Sequence, residues 1–264
     1  MNTAPVGLYS ISVRGLHVPD LLAWAASHTI PFVHLRGGPR GVDLACQPAS
    51  MIWRWRKAAA ETVPITGVTA DVDVADLLTG DAGTRRRAAC DVAEIAETAA
   101  ILGAGWVRLL ARTPLTASDL HQGAGLPVLA DSPIPLLIEP HHPGWVAPDT
   151  LRPFLDLVGS CPQLGLLADT AQLAAALPTS SEKAAWLGPV LDHARVLHLS
   201  DPGTGLDAAG HAVVAAAAAD RIWAGQRLEV AVEWTGADRS PDECLTRYQQ
   251  ATAWWGRLAT AYPQ

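Results

Sequence analysis

Lysine is almost absent from this 264-residue chain: Lys57 and Lys183 stand alone, and arginine supplies the rest of the basic side chains. Neither lysine follows an apolar run of the kind that forms a strand, so Schiff-base chemistry has no natural candidate. Cysteine is scarce too. Cys46, Cys90, Cys161 and Cys244 are scattered without a C-x-x-C pair, which argues against a zinc knuckle or a disulfide framework and for free thiols in a reducing cytoplasm. Basic charge is in deficit, with a formal net charge of −7, so neither nucleic acid nor an anionic membrane is an expected partner. Long apolar runs are missing: the alanine-rich stretch 213–219 is far too short to span a bilayer. The first residues, Met1-Asn-Thr-Ala-Pro-Val6, lack the basic and apolar regions of a signal peptide. A glycine-rich phosphate loop is lacking as well. Ser12-Val-Arg-Gly-Leu-His17, after the first expected strand, has one glycine, which weighs against a doubly wound dinucleotide fold.

What is present is a repeated plan. Hydrophobic residues make up 49% of the chain, which excludes a disordered chain. In Pro135-Leu-Leu-Ile-Glu-Pro-His-His-Pro143 an apolar run ends at Glu139 and two imidazoles, and Pro143-Gly144 then turns the chain. Leu164-Gly-Leu-Leu-Ala-Asp169 ends in an acid, Val196-Leu-His-Leu-Ser-Asp201 carries His198 and ends in an acid, and Leu228-Glu-Val-Ala-Val-Glu233 ends in an acid again. A short apolar run closing on a metal-type ligand about every 30 residues is the signature of βα units whose ligands sit on C-terminal strand ends. The length is close to the ~250 residues typical of one (β/α)8 barrel.

The first half fits the same scheme. Strands are expected at 6–12, 31–36, 65–71 and 106–112. Helices are expected at 50–61 and 81–104, the latter stopped by Leu102-Gly-Ala-Gly105. The fourth crossover contains Gly123 and Gly125, so its helix is expected to be short or broken. Further helices are expected at 148–158, 171–194, 211–224 and 241–261. The expected fold class is α/β, a single (β/α)8 TIM barrel over residues 1–264.

Glu139, Asp169, His198 and Glu233 would then end strands five to eight side by side around the barrel mouth. Three carboxylates so close cannot all stay ionised without a positive charge among them, and a divalent cation supplies it. Three carboxylates and one imidazole suit Mn2+, Mg2+ or Co2+, with Zn2+ also admissible. Taken singly, each has an ordinary reading: Asp169 precedes a helix it can cap, and His198 in an apolar strand can be a hydrogen-bonded core residue. His34 and Arg36 on strand two, Arg108 and Arg112 on strand four, and His141 are secondary candidates. Inward arginine can hold a carboxylate or phosphate, and Trp145 and Trp234 can wall a pocket.

With these motifs in view, the chain resembles the xylose isomerase-like barrel superfamily of sugar isomerases, epimerases and inosose dehydratases, over nearly its whole length. Ile138-Glu-Pro-His-His142 is similar to the E-P-x-N of hydroxypyruvate isomerase and ketose epimerase relatives, Ala168-Asp-Thr-Ala-Gln172 to D-T-x-H, His198-Leu-Ser-Asp-Pro-Gly203 to H-x-x-D-x-G, and Val232-Glu-Trp234 to the closing strand. The resemblance implies metal ligation by Glu139, Asp169, His198 and Glu233, with Glu139 and Glu233 also acting as acid and base. It implies substrate contacts from His34, Arg108, His141, His142 and Gln172. Gln172 stands in place of a substrate-binding histidine, His142 in place of an asparagine, and Thr204 where an arginine often follows D-x-G. The endonuclease IV branch needs further histidines and a basic groove that this chain lacks. The expected activity is a metal-dependent isomerase or epimerase working on a small hydroxy-carbonyl compound through an enediolate. Two alternatives stand beside it: a lyase or dehydratase using the same site, and a non-catalytic binding barrel that has lost its metal. The expected partner is a small-molecule substrate, and self-association into a homo-oligomer is left open.

Overall fold

Each apolar run forms a strand, and the strands pair in sequence order: β1 (Val6–Tyr9), β2 (Val33–Arg36), β3 (Ile65–Asp73), β4 (Val107–Ala111), β5 (Leu136–Pro140), β6 (Leu164–Asp169), β7 (Ala194–Asp201) and β8 (Glu229–Trp234). All neighbours are parallel, and β1 pairs with β8 to close the barrel. The computed structural model describes residues 5–123, 126–177, 185–208 and 210–260. Helices follow the strands, as parallel crossovers require. The fold is a (β/α)8 TIM barrel. Among the described residues no helix is long and apolar enough to cross a membrane.

The longest crossover helix, Ala82–Leu102, is bounded by local chemistry. Asp81 caps its start by accepting from the Thr84 amide at 2.7 Å, and Gly103 stops it in the left-handed conformation at φ 89°, where a side chain would be strained. Several expected boundaries shift. Strand one stops at Tyr9, and Ser10–Ser12 form a 3-10 turn. The reason is side-chain bonding: the Ser10 hydroxyl accepts from the Arg36 amide, and the Ser12 hydroxyl takes the Trp234 amide, so both serine side chains stitch the turn to the flanking strands. β3 runs two residues further than expected and leads into an additional helix, Val74–Leu78, capped by Asp73. The fourth crossover is broken as expected, into Ala117–Gly123 and Pro127–Ala130. The single helix expected at 171–194 is instead two short ones, Thr170–Ala175 and Leu187–Asp192. Residues 178–184 lie outside the described residues.

Side chains two apart on a strand share a face. Leu137 therefore lies below Glu139, Leu167 below Asp169, and Val196 below His198. Leu137, Leu167, Val196 and Trp106 form a buried apolar cluster separate from the main core between sheet and helices. This plug fills the barrel beneath the mouth. Glycines make room for Trp106 in this plug and for Phe32 just before β2. A Cβ on Gly67 would lie 2.0 Å from the Trp106 indole, and one on Gly7 would lie 2.1 Å from the Phe32 ring.

Gly67→Ala is expected to destabilise the fold by about 1–3 kcal/mol, the usual cost of overpacking a closed core. Gly105→Ala, whose Cβ would meet nothing nearer than the Thr66 carbonyl at 3.6 Å, should be near neutral. Urea unfolding of the two variants checks this; equal effects would contradict the packing of Trp106 over Gly67.

Candidate metal centre

The strand register brings the candidate ligands together. Asp169 on β6 is directly opposite His198 on β7, and Ser200, two residues on from His198, is opposite Glu233 on β8. Asp169, His198 and Glu233 each offer a ligand atom within 4.8 Å of the others. Asp169 and His198 are buried, and the Glu233 side chain is 14% exposed. Asp169 also caps the helix that follows it, its Oδ1 accepting from the Gln172 amide at 2.9 Å. A carboxylate has two oxygens, so the cap and a ligand role are compatible.

Glu139 stands apart from this trio. Its Oε2 lies 2.7 Å from Arg108 Nε and its Oε1 lies 3.1 Å from His141 Nε2. Arg108 is further anchored by donating from Nη1 to the Ala70 carbonyl at 2.7 Å. Arg108 Nε, Glu139 Oε2 and His141 Nε2 are buried atoms at ion-pair distance that make no directional hydrogen bond, so they retain capacity to bind something placed among them.

The charges are uneven. Burial opposes ionisation of Glu139, but the Arg108 guanidinium and His141 outweigh it and hold its carboxyl down at about 2. Burial and the Glu139 charge push Glu233 up to about 8. Burial, then Glu233 and Glu139, push Asp169 upward as well. The protein alone therefore lacks the positive charge to keep Asp169 and Glu233 ionised, so both tend to hold protons, and a divalent cation could take the place of those protons. The donor set of two carboxylates and one imidazole is chemically suited to such an ion. The cysteines are free thiols and none is among the clustered donors.

Under the mouth lies a line of polar side chains in which His198 and His34 are buried and Glu229 is half-buried. His198 Nδ1 is 3.0 Å from Glu233 Oε2. His198 Nε2 is 2.9 Å from His34 Nδ1, and His34 Nε2 is 2.7 Å from Glu229 Oε1. That oxygen also accepts from Thr66 Oγ1 at 3.0 Å and Trp106 Nε1 at 3.1 Å. Burial pushes both imidazoles down to about 4, so they are neutral at ordinary pH. Tyr9 stacks on His198 with ring centroids 4.9 Å apart, and its hydroxyl lies 2.6 Å from Thr69 Oγ1. Burial raises the phenol to about 12, so it too remains neutral.

The other sequence candidates fall in different places. His34 has both ring nitrogens engaged beneath the trio. His142 is exposed, and its Nδ1 accepts from the Gly144 amide at 3.0 Å, a local turn contact. Gln172 is half-buried in the first turn of the helix after β6. Arg36 faces Asp71 at 3.9 Å, and Arg112 is exposed. Trp145 and Trp234 are buried, with their indole N–H groups donating to the Thr113 and Asp238 carbonyls. Sequence reasoning missed Tyr9, Thr69, Trp106 and Glu229. The signal for Glu229 was present: it shares the inward face of β8 with Glu233 by strand parity.

No model of a protein family matches the sequence, and no curated protein matches it. Solved structures do match over the full length. The IolI protein, solved with a bound zinc atom, has a TM-score of 0.73 at 11% identity, covering 98% of this chain and 99% of that one. The 3-keto-D-glucoside 4-epimerase YcjR from E. coli, in its apo form, has a TM-score of 0.68 at 15% identity, covering 96% and 99%. A xylose isomerase-like TIM barrel protein from Mycobacterium smegmatis, in complex with magnesium, has a TM-score of 0.65 at 15% identity, covering 98% of each. The fold of this chain is that of the xylose isomerase-like TIM barrels.

Proposed function

We propose that the chain is a metal-dependent isomerase or epimerase acting on a small, sugar-like hydroxy-carbonyl compound. The observation that carries this reading is the convergence of Asp169, His198 and Glu233 at the C-terminal mouth, the end at which barrel enzymes do their chemistry. Its support from the comparisons is that structures of this fold include a sugar epimerase and proteins holding zinc or magnesium.

Asp169, His198 and Glu233 would hold the ion, with Glu139 as the fourth ligand. A divalent cation bound there supplies Lewis acidity, polarising a carbonyl and acidifying the carbon beside it. The donor set favours Mn2+, Mg2+ or Co2+ and admits Zn2+. The protein groups divide the proton transfer. Glu233 has the higher proton affinity, so its ionised form is the stronger base and removes the proton from carbon, leaving an enediolate. Glu139, held by Arg108 on one oxygen and His141 on the other, is ionised at neutral pH and would relay to the substrate a proton that enters from solvent by way of His141. The His141 side chain is 24% exposed and links Glu139 to solvent. Arg108, His141, His142 and Gln172 are the proposed substrate contacts, and His34 is assigned a supporting place under His198.

Incubation of the Mn2+-loaded protein with a panel of small ketoses and keto-glycosides in D2O is expected to give product carrying deuterium next to the carbonyl. Deuterium-free product of unchanged mass would overturn the two-glutamate transfer, and loss of a leaving group would assign a lyase. Metal binding is tested separately. Asp169→Asn and Glu233→Gln each remove an anionic ligand and should weaken Mn2+ binding, measured calorimetrically, by at least about tenfold. Glu139→Gln should weaken it too if Glu139 is the fourth ligand. Unchanged metal content in all three variants would place any ion elsewhere.

The pH dependence follows from Glu233. Its proton affinity is raised on folding from 4.5 to about 8, so its contribution to stability is full below the unfolded value and is lost as pH rises through that interval. Glu139, held at about 2, contributes in the opposite sense, but its loss falls below this window. A cation must displace the proton to bind. Thermal melts should therefore show the stabilisation by excess Mn2+ growing from about pH 5 to about pH 8. An increment that shrinks over that range would contradict the placement of Glu233 in the cluster.

A further inference from the structure

Glu229 sits at the opposite end of β8 from the mouth, yet it is tied to the trio through two imidazoles. Its Oε1 accepts three donors: His34 Nε2 at 2.7 Å, Thr66 Oγ1 at 3.0 Å and Trp106 Nε1 at 3.1 Å. These come from β2, β3 and the residue preceding β4, so the carboxylate is fixed from three sides. His34 is fully buried and wedged between Phe32 and Trp106, with ring centroids 5.3 Å and 4.7 Å away. Its other nitrogen meets His198 Nε2 at 2.9 Å. His198 is fully buried too, stacked between Tyr9 and His34.

Proton positions along this line are not independent. An ionised carboxylate only accepts, so His34 Nε2 must carry a hydrogen. Both rings are withdrawn from water, which disfavours an imidazolium. A neutral His34 then has a bare Nδ1, which accepts from His198 Nε2–H. A neutral His198 is left with its lone pair on Nδ1, the nitrogen that points at Glu233 3.0 Å away.

We infer that Glu229 and His34 are positioning residues that fix the Nε2–H tautomer of His198, so that its Nδ1 presents a lone pair to the ligand cluster. The inference deepens the metal-site reading and rests on it for its purpose. A histidine ligand is free to rotate or change tautomer unless its second nitrogen is committed, and partners of this kind commonly govern affinity. In this barrel the commitment passes through an intervening histidine to a carboxylate level with the apolar plug, in register with Val196 and bonded to Trp106. Glu229 touches neither the mouth nor a substrate.

Two measurements test it. Long-range proton–nitrogen correlation spectra of the isotope-labelled, metal-free protein, with His198 assigned through His198→Asn, should show protonated Nε2 and bare Nδ1. A His198 protonated on Nδ1, or a doubly protonated His34, would overturn the inference without any variant at Glu229. In the second, Glu229→Ala should lower Mn2+ affinity on the order of 10–100-fold. Glu229→Gln keeps an oxygen acceptor for His34 and should stay close to the unsubstituted protein. A folded Glu229→Ala protein that binds Mn2+ normally and keeps the Nε2–H tautomer would also overturn it. If the unsubstituted protein binds no Mn2+, the metal reading fails, and the spectra alone still decide the role of Glu229 and His34.

Discussion

Glu139, Asp169 and Glu233 carry three carboxylates into a part of the barrel that water hardly reaches, and the guanidinium of Arg108 is committed to the first of them. In a medium of low effective dielectric such an imbalance is expensive. The surrounding structure makes sense as a response to it. Asp169 is steadied by the helix that it caps. Tyr9 and His34 cover the two faces of His198 with neutral rings. Arg108 is itself held by a backbone carbonyl, so its charge cannot swing away from Glu139. Among the described residues no fixed cation is left for Asp169 and Glu233, whose carboxyls respond by holding their protons more tightly.

Much of this arrangement was readable in the sequence, because strand ends are local features. An apolar run closing on Glu139, Asp169, His198 or Glu233 shows both the strand and the residue presented at its end, and barrel geometry does the rest. The parts that were not readable depend on contacts between distant strands. Tyr9 looks like any aromatic in a strand until β7 brings His198 against its ring. Glu229 carries the right parity, but nothing near it in the chain announces Thr66, Trp106 or His34 as partners. The expected helix over 171–194 followed alanine propensity. Its first piece instead ends at Ala176, where backbone N–H groups turn back to the Leu173 and Ala174 carbonyls, a local choice that propensity cannot see.

The apolar plug and the polar line are built from shared residues. Trp106 packs over Gly67 and Phe32 over Gly7, so large rings fill the barrel axis where the backbone opposite carries no side chain. The same Trp106 turns its N–H towards Glu229. One residue thus contributes bulk to the seal and a donor to the carboxylate beside it. The half-buried Glu229 carboxylate is supplied with three donors, and here the donors come with the packing rather than in addition to it.

The pairing of β1 with β8 has a consequence for the order in which the molecule becomes competent. Tyr248 on the last helix, Pro241–Thr260, donates to the Val6 carbonyl, and Ser12 bridges to the main chain of β8. These bonds join the two ends of the sequence, the slowest class of contact to form. Glu233 lies on the strand that they secure, and His198 acquires its support from His34 only when the ring of strands is complete. A chain still lacking its final strand as it is synthesised has Asp169 and His198 but neither the third donor nor a closed wall around them. Assembly of the three clustered donors is in this way tied to completion of the barrel.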